Sequence, residues 1–169
     1  LSNENHNAHS LILNKEKISS NNIKIFSPSS NTKIVGNISY ADENTINDAL
    51  KVSKEYQKKW SSVGIDEKIK IIKNFALLLE NNKEDLLKVC VNEAGKTIND
   101  SYNDLREAID FCYYYSSEAK KILNKEIIFD GPTGEKNKLI YESKGVIFCI
   151  SPWNFPIAIF VGQIVAALL

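Results

Sequence analysis

Residues 151–156 read Ser-Pro-Trp-Asn-Phe-Pro, and their types and spacing suit chemistry. Pro152 and Pro156 fix their own φ angles and so stiffen a short turn. Trp153 offers a flat aromatic face, and Asn154 offers a neutral amide N–H donor. A rigid loop that presents one neutral donor suits stabilising an oxyanion or holding a cofactor.

Such a loop needs elements on either side to hold it. The run Gly145-Val146-Ile147-Phe148-Cys149-Ile150, bounded by Gly145 and Pro152, predicts a buried strand of a parallel sheet. After Pro156 the chain is apolar almost throughout to Leu169, which predicts a buried helix. The unit is therefore strand, tight polar turn, helix. In open α/β sheets a turn at the carboxyl end of a strand is where ligands sit.

The stretch Ile150-Ser151-Pro152-Trp153-Asn154-Phe155-Pro156 resembles the signature loop of the aldehyde dehydrogenase superfamily. Its continuation, Ile157-Ala158-Ile159-Phe160-Val161-Gly162-Gln163, is similar to the Δ1-pyrroline-5-carboxylate dehydrogenase module of bifunctional proline utilisation A (PutA) proteins. Three upstream stretches fit the same subgroup: Glu93-Ala94-Gly95-Lys96-Thr97, Arg106-Glu107-Ala108-Ile109-Asp110-Phe111 and Gly131-Pro132-Thr133-Gly134-Glu135. The resemblance runs from about Lys33 to the last residue.

Composition bounds the rest. The chain has 169 residues, 43% hydrophobic and 25% charged, with formal net charge +0, enough for one modest core. Zero net charge with Lys and Glu interspersed argues against nucleic acid or an anionic membrane as the main partner. Cys90, Cys112 and Cys149 stand singly in apolar surroundings, so no disulfide framework is expected, and the reading is a reduced, cytoplasmic protein. No charged region followed by an apolar stretch opens the chain, so a secretory signal is not expected. The apolar stretch after Pro156 is too short for a membrane span. The chain starts at Leu1 and stops inside an apolar stretch, and it reads as a fragment of a longer frame.

Residues 1–22, rich in Asn, Ser and Lys, predict a linker or loosely attached arm. His6 and His9 have the spacing of half a metal site, but no carboxylate or thiol cluster accompanies them, and no metal is expected. Residues 23–26 and 33–38 predict two short strands about a Ser-Pro-Ser-Ser turn. A helix over 45–60 follows, with Ile46, Ala49, Leu50, Ser53, Tyr56 and Trp60 as its stripe. A second starts at the N-cap candidate Asp66 and buries Ile69, Ile72, Phe75, Ala76 and Leu79. Asn81 with Glu84 has the form of a capping box opening a third, which ends at Gly95.

Gly95-Lys96-Thr97 lacks the upstream glycine and preceding strand of a P-loop, so Lys96 reads as a structural or surface residue. Thr97 or Asn99 opens the longest helix, to about Leu123, with Leu105, Ala108, Ile109, Cys112, Ser116, Ala119 and Ile122 buried. Residues 126–130 and 138–143 predict strands about a turn.

What the resemblance implies goes further. The fold would be α/β: the N-terminal part of an aldehyde dehydrogenase fold, with an incomplete Rossmann-like NAD-binding domain over 23–169 and an oligomerisation arm within 126–143. The early helices would pack on a parallel sheet. Asn154 matches the side-chain donor of the family's oxyanion hole, and Ile150, Ser151, Pro152 and Trp153 match the wall against which NAD lies. Glu107 and Phe155 would border the aldehyde pocket, although Glu107 alone reads as an ordinary solvated helix charge. No cysteine stands where the family places its nucleophile; that cysteine, the general-base glutamate and the adenosine-binding lysine would follow Leu169.

The implied parent activity is NAD-dependent oxidation of L-glutamate γ-semialdehyde (Δ1-pyrroline-5-carboxylate) to glutamate in proline catabolism, with the fragment inactive alone. Its partners would be a small-molecule aldehyde and a complementary C-terminal half or a second copy. Three alternatives stay open: another aldehyde dehydrogenase, such as a succinate-semialdehyde enzyme; a non-catalytic interaction remnant; and a purely helical binding domain, which leaves the 145–156 turn unexplained.

Overall fold

A computed structural model of the chain describes residues 6–169. In chain order it runs β1 (His6–Ala8), β2 (Ser10–Ile12), β3 (Lys15–Lys17), β4 (Asn22–Ser27) and β5 (Ser30–Ser39). The helices α1 (Glu43–Ser61), α2 (Ile65–Asn81), α3 (Lys83–Ala94) and α4 (Ile98–Leu123) follow. Then come β6 (Ile127–Asp130), β7 (Lys136–Leu139) and α5 (Ala158–Leu168).

The core is helix on helix. Ile72, Ala76 and Leu79 of α2 meet Leu105, Ala108, Ile109 and Cys112 of α4, which in turn meet Ala158, Val161 and Val165 of α5. Their spacing of three and four residues puts each set on one helical face, which is why an apolar stripe legible in the sequence becomes a packed seam. Small residues bring α4 and α5 together: a Cβ on Gly162 would lie 2.9 Å from Cδ2 of Phe111, so only glycine leaves room for that ring. Ala108 and Ala158 at the same seam are fully buried.

The ends of these helices are set by local chemistry. The Thr97 hydroxyl accepts the Asp100 N–H at 3.1 Å and so caps α4. Gly95 takes the left-handed conformation, φ 67°, that stops α3. Asp42 caps α1 by accepting the Thr45 N–H at 2.8 Å, and hydrogen bonding from the Thr45 side chain, then from its backbone N–H, holds the Asp42 carboxyl below its usual value.

One buried polar feature ties the helical layer to the loop that follows. Asp104 sits on the apolar face of α4 with its side chain fully buried. Its Oδ1 accepts the Ala158 N–H at 2.8 Å, and its Oδ2 takes a longer approach, 3.5 Å, from the Ile157 N–H. A carboxylate from another helix thus occupies the positive N-terminal end of α5, whose own Ile157 supplies no capping side chain.

Several expectations are corrected. Residues 145–150 form no strand: among the described residues no strand lies beside them to complete a ladder, and Phe148 and Ile150 are 84% and 71% exposed. The helices accordingly rest on one another and not on a parallel sheet; the strands form small separate sheets. Residues 6–17, expected as a loose arm, are paired. β1 runs parallel to β5, with His6 beside Gly36, while β2 and β3 form a hairpin turned by Leu13 and Asn14 at positive φ. The residues expected as an arm before His6 lie outside the described part.

Helix α2 begins at Ile65 behind Gly64, not at an Asp66 cap, and Asn82, not Asn81, precedes α3 without a side-chain capping bond. Helix α1 buries no residue fully; Ile46, Leu50 and Tyr56 of its expected stripe are exposed, and Trp60 Nε1 instead donates to the last-turn carbonyl of Leu168 at 2.8 Å. Ile122 at the end of α4 is exposed as well. The β4–β5 hairpin, α4 and α5 stand where expected, but β7 covers Lys136–Leu139 and not 138–143, because the four residues of β6, Ile127–Asp130, pair only with Leu139 to Lys136.

Removing the Asp104 carboxylate leaves two helix N–H groups and a lysine without their acceptor, so Asp104→Ala is expected to destabilise the fold by about 3 kcal/mol, with Asp104→Asn losing less, in urea unfolding followed by circular dichroism. Gly162→Ala forces Phe111 aside and is expected to cost about 1–3 kcal/mol in the same measurement.

Candidate functional site

The loop 151–156 is gathered at the start of α5, and its shape is held from below by the turn between α3 and α4. Gly95 ends α3 and Thr97 caps α4, which leaves Lys96 alone between two helices with its side chain only 13% exposed. The Lys96 ammonium lies 3.1 Å from Asp104 Oδ2 and donates to the Asn154 carbonyl at 3.2 Å. It also stands 5.0 Å from the centre of the Phe155 ring, a cation–π arrangement. The loop's backbone is thereby fixed by an ion pair whose other half caps α5.

The structure brings some of the candidate residues together. Asn154 and Phe155 share this node; among the described residues the Asn154 amide makes no hydrogen bond, so its N–H groups stay available while its carbonyl is held. Trp153 is 79% exposed and Ile150 71%, with Pro152 exposed beside them, so the expected wall is an open apolar edge. The Ser151 hydroxyl is a buried oxygen without a partner among the described residues. Gln163 of α5 donates to the Ile150 carbonyl at 2.8 Å and fixes the start of the loop, while its own Oε1 is buried and unpartnered. Between 147–150 and α5 runs a shallow groove of about 440 Å³ lined by Phe148, Cys149, Ile150 and Gln163 among others.

Glu107 is not part of this node. It lies on α4, three residues beyond Asp104, exposed and without a hydrogen bond or ion pair among the described residues. His9 faces Glu16 across the β2–β3 hairpin at 3.3 Å, and no group of three metal-ligating side chains occurs among the described residues. Burial pushes the Cys112 thiol up to about 11 and raises that of Cys90, whereas Cys149 is only partly buried at the groove. None of the described helices is long and apolar enough to cross a membrane.

Asp104 and Gln163 are the site residues that the sequence reading passed over. For Asp104 a signal existed: it falls on the stripe that carries Ser101, Leu105, Ala108 and Cys112, and a charge in the middle of an apolar stripe demands a buried partner. Gln163 stands in an otherwise apolar helix, α5, which is the same kind of signal.

Comparison with known proteins places this geometry. The aldehyde dehydrogenase family profile matches residues 15–169, so the resemblance begins well before Lys33. The chain is 31% identical over 157 residues to a 1-pyrroline-5-carboxylate dehydrogenase of Staphylococcus aureus, covering 92% of this chain and 30% of that protein. It is 34% identical over 144 residues to the bifunctional protein PutA of Salmonella typhimurium, covering 85% of this chain and 10% of PutA. Among solved structures, PutA from Bdellovibrio bacteriovorus superposes with a TM-score of 0.91 at 32% identity, over 96% of this chain and 17% of that one. The 1-pyrroline-5-carboxylate dehydrogenase from Thermus, crystallised with NAD, gives 0.89 at 28% identity over 97% of this chain and 32% of that one. The chain thus spans about 30% of the length of the curated dehydrogenases it matches. With a mixed helix-and-strand architecture that superposes on those enzymes and a matching profile over most of its length, the chain belongs to the aldehyde dehydrogenase family.

Proposed function

We propose that this chain supplies the oxyanion-stabilising loop and part of the NAD site of an enzyme that oxidises L-glutamate γ-semialdehyde to glutamate in proline catabolism. The observation that carries the reading is Asn154, held by its backbone with its amide left free at the N-terminus of α5. The similarity to 1-pyrroline-5-carboxylate dehydrogenases and PutA proteins supports the substrate class. The sequence that completes such an enzyme, including the nucleophilic cysteine, comes from outside these residues in this reading.

The residues present fit the cofactor. Ile150, Pro152 and Trp153 give an exposed apolar edge for a flat ring, and the unpartnered Ser151 hydroxyl is a polar atom at the same wall. When bound, NAD supplies the hydride acceptor. The chain's own part is to orient and stabilise. As a thiolate adds to the aldehyde carbon, negative charge collects on the aldehyde oxygen, and a preorganised neutral amide donor such as Asn154 Nδ2 stabilises it without reorganising water. Phe155 closes one side of the aldehyde pocket, and Glu107 borders it from α4.

Two of the three cysteines, Cys90 and Cys112, are poorly suited as the nucleophile. A nucleophile needs an accessible, low-pKa thiol, and Cys90 and Cys112 are buried with raised thiols. Alkylation of the native chain near neutral pH is therefore expected to mark Cys149 and to spare Cys90 and Cys112, read by mass spectrometry; prompt labelling of Cys112 would contradict its burial. Because the Cys112 thiol ionises later folded than unfolded, its contribution to stability is present below the ordinary value of 9.0 and fades as pH rises towards about 11.

The functional reading is tested by co-expressing the chain with the remainder of the Staphylococcus relative and following NADH formation from L-glutamate γ-semialdehyde. Activity is expected from the pair and not from the chain alone, with Asn154→Ala lowering kcat by about 10²–10³-fold. An active pair in which Asn154→Ala leaves kcat unchanged would overturn the role given to Asn154.

A further inference from the structure

We propose that Lys96 is a positioning residue for the Asn154 loop: its ammonium clamps the loop backbone against buried Asp104. The inference rests on the reading that Asn154 is the oxyanion donor, but its geometry stands on separate contacts. A lysine ammonium has three donors and no acceptor. Here it reaches Asp104 Oδ2 at 3.1 Å, the Asn154 carbonyl at 3.2 Å, and the face of Phe155 at 5.0 Å. Asp104 holds the chain just beyond through the Ala158 and, more loosely, the Ile157 amides. One ion pair thus grips residues 154, 155, 157 and 158 from a single side.

The grip falls on the backbone carbonyl of Asn154 and leaves its side chain free, which is what a donor aimed at developing charge requires. An alternative role for Lys96, capturing an anion as in a phosphate loop, is disfavoured by the same contacts: the ammonium is committed to a carboxylate and a carbonyl, and its side chain is mostly buried. The lysine cannot wander, because Gly95 in its left-handed turn and the Thr97 cap fix its Cα between two helices.

Losing Lys96 should free the loop without freeing α5, since the Asp104 carboxylate can still cap the helix end. The test is nitrogen-15 relaxation on the full chain for the native protein, Lys96→Met and Lys96→Arg. In the native chain the Asn154 and Phe155 amides are expected to be as rigid as those of α4; in Lys96→Met their order parameters are expected to fall below about 0.6 while those of α4 stay near 0.85. Lys96→Arg, which keeps a charged donor, is expected to restore them. Unchanged order parameters at Asn154 in Lys96→Met, or a loss spread equally through α4, would overturn the proposal, as would failure of arginine to rescue.

Should Lys96→Met not fold, acetylation of the native chain decides. Lys96 is expected to react about tenfold more slowly than the exposed Lys58, and equal rates would overturn the clamp. The kcat of Asn154→Ala in the co-expressed pair keeps the two readings apart. An unchanged kcat there would count against the oxyanion role alone, and the relaxation or acetylation result would still judge the clamp.

Discussion

A single buried carboxylate carries much of what makes this chain a defined object and not a stack of helices with a loose end. Asp104 lies where an apolar side chain would be expected, on the α4 face that packs against α2 and α5, and burying its charge is costly unless it is paired and hydrogen-bonded. It is met by the Lys96 ammonium, by the Ala158 N–H and by the longer approach of Ile157. The arrangement satisfies amides at the start of α5 that would otherwise lack partners and places negative charge where the helix dipole favours it. Specificity follows from the same cost, because any packing of α5 that pulls its N-terminus away from α4 leaves a charge stranded.

Around that point the packing is built from small side chains. Ala108, Ala158 and Gly162 let α4 and α5 approach closely, and Phe111 fills the space over the glycine. Close approach is what brings the Asp104 carboxyl within reach of the α5 backbone. Helix packing, charge burial and loop geometry are thus consequences of one seam, and the loop that presents Asn154 inherits its position from it. By contrast, residues 145–150 and the outer faces of α1 and α2 expose large apolar side chains, Phe148, Ile150, Leu50 and Leu77 among them. This surface is in keeping with a chain that spans about 30% of the dehydrogenases it resembles.

Much of this was legible from residue types. The helical stripes of α2 and α4, the Thr97 cap and the Gly95 stop follow from local rules acting within a few residues, and those rules held. The loop 151–156 was legible for a similar reason, since two prolines around a tryptophan and an asparagine leave few conformations. Residues 145–150 were not, because their apolar run records a preference for burial, while a strand exists only where a neighbour offers a ladder. The pairing of His6–Ala8 with β5 was equally hidden: its polar sequence carries no periodicity, and register came from a contact some thirty residues away along the chain. Lys96 and Asp104 fall between these cases. Each is visible as an anomaly, a lysine at a helix break and an acid on an apolar stripe, yet only the folded chain shows that they answer each other.

The most direct test of that pairing is a double-mutant cycle over Lys96→Met and Asp104→Asn, with unfolding free energies measured for the native chain, both single variants and the double variant. If the two residues form one buried unit, the effects should fail to add, with a coupling of about 1–3 kcal/mol. Additive effects would mean that Lys96 and Asp104 stabilise the chain independently, and the seam would then have to hold the Asn154 loop by packing alone.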